Sequence, residues 1–365
     1  MSRGPVPPEY VRKLPVYVPG KPVEEVRREL GITDEIVKLA SNENPLGTSP
    51  KALAAVREAL DDLHRYPDGG GFYLRQSIAA RQGFPAEQII LGNGSVEIIE
   101  MLARAYLGDG DQAVFSEQSF VMYGIAIAAM NGKGIRVPAT EDRRHDLDAM
   151  AEACTPETKL LFIANPSNPT GTYNSREEID RLFSKIPDSV LVVVDQAYFE
   201  YIDRPDYPDC MEDLRNGRNV IVLRTFSKIY GLAGLRVGYG IADREVIDTL
   251  NRVRSPFNTS SLGQIAAIAA LDDTEWETRS REENLRELDR VQAALEQRSV
   301  RFTPSVTNFV LVELDRDVRE LFVELQKQGV IVRPQGGPGL DRCMRVSIGT
   351  RVENDRFLEA LDALL

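Results

Sequence analysis

Apolar residues along this chain form short runs that alternate with stretches of helical spacing. The strand-like runs are residues 88–91, 112–115, 135–138, 159–164, 190–194 and 220–223. Between residues 94 and 107, apolar positions instead recur every three or four residues, as they do on one face of a helix. The run at 190–194 is continuously apolar, which is typical of a central parallel strand. This alternation predicts an α/β fold with a mostly parallel sheet, helices on both faces and right-handed crossovers.

The pattern changes along the chain and predicts three parts. Prolines keep most of residues 1–35 extended, which indicates an N-terminal arm. The strand and helix alternation of residues 36–250 predicts a large ligand-binding domain, and residues 251–365 predict a smaller α+β domain near which the arm packs. In that last part we expect helices at 260–271, 275–298 and 352–365 and strands at 309–313, 330–333 and 344–348.

The net charge of the chain limits the kinds of partner that it can bind. Its 44 Lys and Arg residues against 56 Asp and Glu residues give a formal net charge of −12. Such an acidic chain is a poor general ligand for nucleic acid or an anionic membrane, although a locally basic pocket can still hold an anion. The sequence shows neither a membrane-spanning apolar run nor the apolar core of a signal peptide. We therefore expect a cytoplasmic protein.

Cysteine and histidine usage argues against a metal site. The cysteines, Cys154, Cys210 and Cys343, are odd in number and widely spaced, which favours reduced thiols over a disulfide framework or a zinc motif. The histidines, His64 and His145, lie in polar stretches. We expect both histidines to be exposed and neither to be catalytic.

Polar residues follow the ends of several predicted strands, where ligands of open α/β sheets bind. Residues 92–95 (GNGS) and 165–171 (NPSNPTG) follow two of these strands. Asp195 ends the apolar run at 190–194, and residues 225–228 (TFSK) follow the strand at 220–223. Because the carboxyl ends of parallel strands lie at the same edge of a sheet, these groups should converge on one site.

Some of the polar groups that follow the predicted strands suit a phosphate. The helix start at Gly94 and Ser95 offers free amides and the positive end of a helix dipole. Thr225 and Ser227 supply hydroxyls, and Arg236 supplies a forked cation.

Two other groups at the ends of the predicted strands, a carboxylate and an amine, suit a pyridinium ring that carries an aldehyde. An ionised Asp195 at the end of a buried strand needs a partner, and a protonated pyridine nitrogen is such a partner. Lys228, in a loop of small residues near cationic Arg236, could have a lowered pKa and act as an amine nucleophile.

Three of these segments resemble signatures of the class II aminotransferases of fold type I, in the order of that family. Residues 225–239 (TFSKIYGLAGLRVGY) resemble the lysine signature, residues 165–171 the asparagine–proline loop, and residues 195–198 (DQAY) the Asp-Glu-Ala-Tyr segment. Further segments are similar to the histidinol-phosphate aminotransferases over nearly the whole chain: residues 17–22, 39–45, 65–67, 92–95 and 344–350. The implied architecture is the fold-type-I transferase of pyridoxal-phosphate (PLP) enzymes.

The resemblance implies PLP as the cofactor. Lys228 would hold it as a Schiff base and move a proton between substrate and cofactor carbons. Asp195 would keep the pyridine nitrogen protonated, and Tyr198 would hydrogen-bond the ring hydroxyl together with Asn168. Phe120 would stack on the ring, at a position where the family usually has Tyr. The cofactor phosphate would be bound by Gly94, Ser95, Thr225, Ser227 and Arg236.

The same resemblance implies the substrates and a homodimer. Amino transfer between L-histidinol phosphate and 2-oxoglutarate gives imidazole-acetol phosphate and glutamate, a step of histidine biosynthesis. Arg333 and Arg345 would bind the substrate phosphate, and Arg345 also the carboxylates of glutamate and 2-oxoglutarate. Tyr17 and Asn44 would line the substrate side, and Tyr66 would reach the cofactor phosphate of the other subunit.

Two positions depart from the family pattern, and several alternatives stay open. Val96 stands where Asp is common, and Gln196 where Glu is common. An aromatic amino-acid aminotransferase, a threonine-phosphate decarboxylase and a PLP-binding regulator without turnover share the implied scaffold. The chain lacks the spare length and basic patch of an added DNA-binding domain, which disfavours the regulator. No Gly-x-Gly-x-x-Gly sequence opens a helix after a strand, which disfavours a dinucleotide enzyme.

Each singled-out residue also has a plain structural interpretation. Lys228 could be a solvated lysine, Asp195 a helix N-cap and Phe120 a core residue. Residues 165–171 could be only a cluster of turns, and Arg333 and Arg345 could belong to surface ion pairs.

Overall fold

The computed structural model describes residues 4–17 and 20–365; residues 1–3, 18 and 19 of the predicted arm lie outside the described residues. The α-helices are α1 Glu9–Arg12, α2 Val23–Leu30, α3 Pro50–Glu58, α4 Phe72–Gln82, α5 Gly94–Tyr106, α6 Met122–Ala129, α7 Leu147–Glu152, α8 Arg176–Phe183, α9 Met211–Arg215, α10 Arg244–Val253, α11 Ser261–Leu271, α12 Thr274–Gln297, α13 Val318–Lys327 and α14 Arg351–Asp362. The strands are β1 Val37–Lys38, β2 Ile89–Gly92, β3 Gln112–Ser116, β4 Lys133–Val137, β5 Thr158–Ala164, β6 Leu191–Asp195, β7 Val220–Thr225, β8 Gly238–Ile241, β9 Arg301–Thr303, β10 Phe309–Glu313, β11 Val330–Ile331, β12 Arg333–Pro334 and β13 Cys343–Ser347.

Within the described residues, the large sheet has seven strands in the order β2-β8-β7-β6-β5-β3-β4. The pairs from β7 to β4 are parallel, as the alternation of strands and helices predicts. Strand β8 runs antiparallel to both of its neighbours. Crossover connections therefore bring the carboxyl ends of β5, β6 and β7 to one edge, where the predicted site residues follow.

Both faces of this sheet are buried, which explains the continuous apolar run of β6. Val192 and Val194 pack into the core on one face, whereas Leu191 and Val193 pack into the core on the other face. Burying each such side chain contributes about 1.5–3 kcal/mol. The central strands are therefore a rigid support for the groups at their ends.

A second sheet, in the order β12-β13-β10-β9, is antiparallel and packs against α12, α13 and α14. The predicted strand at 330–333 is divided: β11 pairs with β1, and β12 pairs with β13. Packing also crosses the predicted domain boundaries. Val37 and Leu39 lie in the core of the second sheet, and Ala266 of α11 lies in the core of the large one. The boundaries after residues 35 and 250 stay predictions.

Among the described residues, no helix is both long and apolar enough to cross a bilayer. Nor does this part of the chain bring three or more His, Cys, Asp or Glu side chains together in an arrangement that could hold a metal ion.

Candidate active site

A cavity of about 530 Å³ lies at the carboxyl ends of β5, β6 and β7, between the large sheet and the second one. Its volume suits a small-molecule ligand. All of the predicted site residues except Asn44 and Tyr66 line it: Tyr17, Gly94, Ser95, Phe120, Asn168, Asp195, Tyr198, Thr225, Ser227, Lys228, Arg236, Arg333 and Arg345.

Lys228 enters this cavity from the loop after β7 and is not a solvated surface lysine. Its Nζ donates a hydrogen bond to the Ser41 carbonyl oxygen at 3.2 Å, and it forms no ion pair with any described carboxylate. Burial and the nearby cation of Arg345 lower the Lys228 pKa to about 7, although Glu43 opposes the shift. A large fraction of the amine is therefore neutral and nucleophilic near neutral pH.

Asp195 ends β6 on the floor of the cavity and is 6% exposed. The Tyr123 hydroxyl donates to its Oδ2 at 3.1 Å, and the Ala197 N–H donates to its Oδ1 at 3.2 Å. Burial raises the Asp195 pKa to about 6, while these two hydrogen bonds oppose the rise. The next helical turn, Phe199–Tyr201, begins after Tyr198, so Asp195 is not its N-cap. The carboxylate can accept a cationic ring N–H.

Arg236 and the start of α5 form an anion cradle in the same cavity. Arg236 donates to the Asn93 carbonyl oxygen at 3.2 Å and to Ser227 Oγ at 3.3 Å, and it pairs with no described carboxylate. Gly94 has φ +71°, where a larger residue would be strained, and a Cβ there would lie 2.7 Å from Arg236 Nη2 and displace that guanidinium. The Asn93 side chain makes no capping hydrogen bond, and the Glu97 carboxylate accepts the Asn93 N–H at 2.7 Å, which leaves the amides of Gly94 and Ser95 for an anion. Hydroxyls of Thr225 and Ser227 complete the cradle.

Three further residues that line the cavity suit an aromatic ring with a hydroxyl. Tyr198 is 4% exposed, and its oxygen accepts a hydrogen bond from Asn42 Nδ2 at 2.9 Å. Asn168 Oδ1 accepts from Arg345 at 2.6 Å. Phe120 lines the cavity and also packs against the large-sheet core, with its ring edge-on to Tyr123 at 5.8 Å. The residues present therefore fit a pyridine ring that carries a hydroxyl and a phosphate.

Arginines dominate the side of the cavity that faces the second sheet. Arg345 donates to the Ala40 carbonyl oxygen at 2.8 Å, its Nε is buried with no hydrogen-bond partner, and no described carboxylate pairs with it. Burial lowers the Arg345 pKa from its usual value. Arg333 lies over the Tyr17 ring at 5.9 Å. Because Arg345 forms no ion pair with a described carboxylate, this side of the cavity suits a phosphate or a carboxylate.

Two predicted residues lie elsewhere. Asn44 is not at the cavity, because its amide donates to the Ile229 carbonyl oxygen at 2.7 Å and to Ser280 Oγ at 3.0 Å. The prediction that it lines the substrate side is corrected accordingly. Tyr66 is 82% exposed and stacks on Phe257 at 4.7 Å, outside the cavity of its own chain.

The two departures from the family pattern differ in position. Val96 lines the cavity beside the anion cradle. Gln196 is buried away from it, where its amide donates to the Pro208 carbonyl oxygen at 2.8 Å and to the Tyr207 hydroxyl at 3.1 Å. Gln196 therefore stabilises the loop that follows Asp195 and does not contact a ligand in the cavity.

The expectation that both histidines are exposed is wrong for His145, which is 2% exposed. A β-bridge between Ala139 and His145 turns the ring inward, where its Nε2 lies 2.9 Å from the Ala164 carbonyl oxygen. Burial lowers the His145 pKa to about 4, so the ring is neutral. It supports the end of β5 and does not line the cavity.

Sequence reasoning missed Tyr123, Asn42 and Ser41. Tyr123 lies three residues after Phe120, a helical spacing that could have indicated a shared face. Asn42 and Ser41 lie in the segment at 39–45, but nothing in its composition distinguishes Asn42 from Asn44.

Replacing Tyr123 with Phe is expected to raise the Asp195 pKa, because the hydroxyl that stabilises its ionised form is lost. As the pH falls, a ligand that needs the ionised carboxylate should then lose affinity at a pH about one unit higher than in the original protein. The measurement is the affinity of the cofactor-free protein for PLP across pH. If the PLP affinity of both proteins falls at the same acidic pH, the argument is contradicted.

Comparison with known proteins assigns this geometry to a class. The model of the family "Aminotransferase class I and II" matches residues 34–361, and the chain therefore belongs to this family of aminotransferases. A histidinol-phosphate aminotransferase of Moorella thermoacetica is 49% identical over 358 residues, which cover 98% of this chain and 92% of that protein. The histidinol-phosphate aminotransferase 2 of Pseudomonas fluorescens is 49% identical over 356 residues, which cover 97% of this chain and 96% of that protein.

A solved structure supports the same assignment. The histidinol-phosphate aminotransferase of Sinorhizobium meliloti, in complex with pyridoxal-5'-phosphate, aligns with a TM-score of 0.90 at 29% identity. The alignment covers 100% of this chain and 99% of that one. The predicted fold class, the fold-type-I transferase with a mostly parallel central sheet, is confirmed.

Proposed function

We propose that this protein is a PLP-dependent aminotransferase that transfers the amino group between L-histidinol phosphate and 2-oxoglutarate, in histidine biosynthesis. One observation carries the proposal: a half-buried amine and a buried carboxylate share a cavity with three arginines in an otherwise acidic chain. Lys228 and Asp195 are the reactive pair, and Arg236, Arg333 and Arg345 are the arginines. Two groups of anion-binding residues, one around Arg236 and one with Arg333 and Arg345, suit a phosphorylated cofactor and an anionic substrate.

Bound PLP supplies an electron sink for the electron pair released when a substrate C–H bond breaks. The chain provides the groups that hold and polarise it. Arg236, Ser227 and the amides of α5 bind its phosphate, and Phe120 covers the ring. Asp195 keeps a proton at the ring nitrogen, since its carboxylate stabilises the cationic N–H in a buried setting.

Lys228 is the proton carrier of the reaction. Its pKa of about 7 allows Nζ to accept a proton and return it near neutral pH. The hydrogen bond to the Ser41 carbonyl oxygen and the face of Tyr198, 5.6 Å from Nζ, keep the amine inside the cavity.

Arg345 and Arg333 bind the substrates. Both substrates are anions, so the same guanidinium groups can hold the phosphate of L-histidinol phosphate and a carboxylate of 2-oxoglutarate in turn. The names of the relatives favour histidinol phosphate over an aromatic amino acid or threonine phosphate.

The test is a single turnover of the PLP-loaded enzyme with L-histidinol phosphate, L-phenylalanine or threonine phosphate, followed by the loss of visible absorbance. We expect the fastest loss with L-histidinol phosphate. Faster loss with L-phenylalanine would reassign the substrate, and release of carbon dioxide from threonine phosphate would reassign the reaction.

We further propose a cytoplasmic homodimer in which Tyr66 reaches the partner's cofactor phosphate. Tyr66 is 82% exposed and stacks on Phe257, which is 47% exposed; further along the chain, Phe72 and Tyr73 contact each other and are 58% and 72% exposed. Exposed pairs of aromatic side chains are typical of a protein interface.

Mixing two impaired variants tests the shared site. Tyr66→Ala should weaken PLP binding about tenfold by removing a phosphate contact, and Lys228→Ala should be inactive. Their mixed dimer has one complete site, because the Tyr66→Ala chain keeps Lys228 and receives Tyr66 from its partner. At a PLP concentration that saturates only the original protein, a one-to-one mixture should recover about a quarter of its activity. Activity no higher than the average of the two separate variants would contradict the shared site.

A further inference from the structure

Asn42 is a buried residue that the proposed chemistry does not use. It is 1% exposed and has φ +55°, a left-handed conformation that Asn tolerates better than most residues. Its Nδ2 donates to the Tyr198 hydroxyl oxygen at 2.9 Å. Asn42 thus lines the cavity beside Tyr198 and contacts the Tyr198 hydroxyl.

The second sheet fixes the orientation of the Asn42 amide. Ser347 Oγ accepts the Asn42 backbone N–H at 2.8 Å and donates its own proton to Asn42 Oδ1 at 3.0 Å. No other described residue accepts the Ser347 hydroxyl proton. Oδ1 must therefore face Ser347, and Nδ2 must face Tyr198. Asn308, which donates to the Asn42 carbonyl oxygen at 3.0 Å, fixes the backbone as well.

This orientation decides the direction of the Tyr198 hydrogen bond. Because Nδ2 is a donor, the Tyr198 oxygen can only accept from it. No described residue accepts the Tyr198 hydroxyl proton, and Tyr198 lines the cavity. The proton is therefore directed toward the bound ligand.

We propose that Asn42 is a positioning residue that fixes the Tyr198 hydroxyl as a donor to the ring oxygen of the cofactor. The inference rests on the proposed function, since it needs a ligand oxygen in the cavity. The adjacent Ser41 carbonyl oxygen holds Lys228, so two consecutive residues orient both groups from one segment. That segment is attached to the second sheet, where the Ser347 N–H donates to the Leu39 carbonyl oxygen at 2.9 Å.

The sharpest variant is Asn42→Asp. The side chain keeps its shape, tolerates the left-handed conformation and keeps an acceptor for Ser347. Its second oxygen, however, accepts the Tyr198 proton instead of donating to the Tyr198 oxygen. The ligand oxygen then loses a donor and retains more negative charge, which holds the proton on the neighbouring Lys228 nitrogen more tightly.

The readout is the pH at which the visible absorption of the PLP-loaded protein changes, together with the PLP dissociation constant. We expect Asn42→Asp to move this midpoint up by about one pH unit, in the direction of Tyr198→Phe. Introducing Asn42→Asp into the Tyr198→Phe protein measures the effect of the added charge alone, and there the shift should be clearly smaller.

Asn42→Gly is a neutral second variant that keeps φ +55° without strain. It should produce a smaller upward shift in the original protein and none in the Tyr198→Phe protein. Equal shifts in both backgrounds, for either variant, would overturn the positioning role. If the original protein binds no PLP, the proposed function fails instead, which separates the two failures.

Discussion

Lys228→Ala is expected to lower transamination at least about 10⁴-fold, because the variant loses both the nucleophilic amine and the proton carrier. No second amine can replace it: among the described cavity-lining residues, Lys228 is the lysine, and the other cations are arginines. Arginine stays protonated and cannot accept the substrate proton. The visible absorbance of the lysine-linked cofactor should disappear together with the activity.

The matched control is Lys159→Ala. Lys159 is 44% exposed in its side chain, with Asp111 as its nearest acidic neighbour at 3.9 Å. A surface pair of this kind contributes about 0–1 kcal/mol, so stability and turnover should hardly change. Substantial turnover by Lys228→Ala, at more than about a hundredth of the original rate, would show that another group moves the proton.

Asp195→Asn is expected to lower turnover by about 10³-fold while weakening PLP binding far less. Asparagine cannot stabilise a protonated ring nitrogen by charge, so the bound cofactor loses most of its capacity as an electron sink. The contacts of Arg236 and the α5 amides with the phosphate remain, and these supply much of the binding. Single-turnover rates and PLP titration of the same preparations separate the two effects.

The same substitution should stabilise the cofactor-free protein at neutral pH. The Asp195 pKa rises from 3.8 in the unfolded chain to about 6 in the folded one, so the folded state favours the protonated carboxyl. The favourable contribution is complete below pH 3.8 and is lost as the pH rises through about 6. At pH 8 the variant should therefore unfold with a free energy about 1–3 kcal/mol higher, and the difference should shrink toward pH 4.

Urea unfolding of the cofactor-free proteins across this pH range measures the difference. Asp206→Asn serves as the control, because Asp206 is exposed and accepts a hydrogen bond from Tyr173. A gap between Asp195→Asn and the original protein that stays constant with pH would contradict the assigned titration.

The parallel part of the fold and most cavity residues could be predicted from sequence for a physical reason. A strand buried on both faces, such as β6, must be apolar throughout, and polar residues immediately after it must serve a site. Lys228, Asp195 and Arg236 follow such strands or lie in the loops after them. The apolar pattern and the geometry of a parallel sheet are therefore enough to predict that these residues meet at one site. Nothing local distinguishes β8, whose antiparallel direction depends on its neighbours in space.

The errors concern residues whose roles depend on contacts far along the chain. Asn42 and Asn44 are chemically identical, and contacts with Ser347 and Ile229, respectively, hold Asn42 at the cavity and Asn44 away from it. His145 lies in a polar stretch, yet a bridge to Ala139 buries it. Periodicity records which face of an element is apolar, but it does not record which polar side chain meets which partner.

The central claim, that Lys228 carries the cofactor, has one direct measurement. Borohydride reduction of the PLP-loaded protein makes the lysine link permanent, and digestion with mass spectrometry then locates the modified residue. The account predicts one phosphopyridoxyl group per chain, on Lys228. A group on a different lysine, or no modified lysine in a protein that has bound PLP, would contradict it.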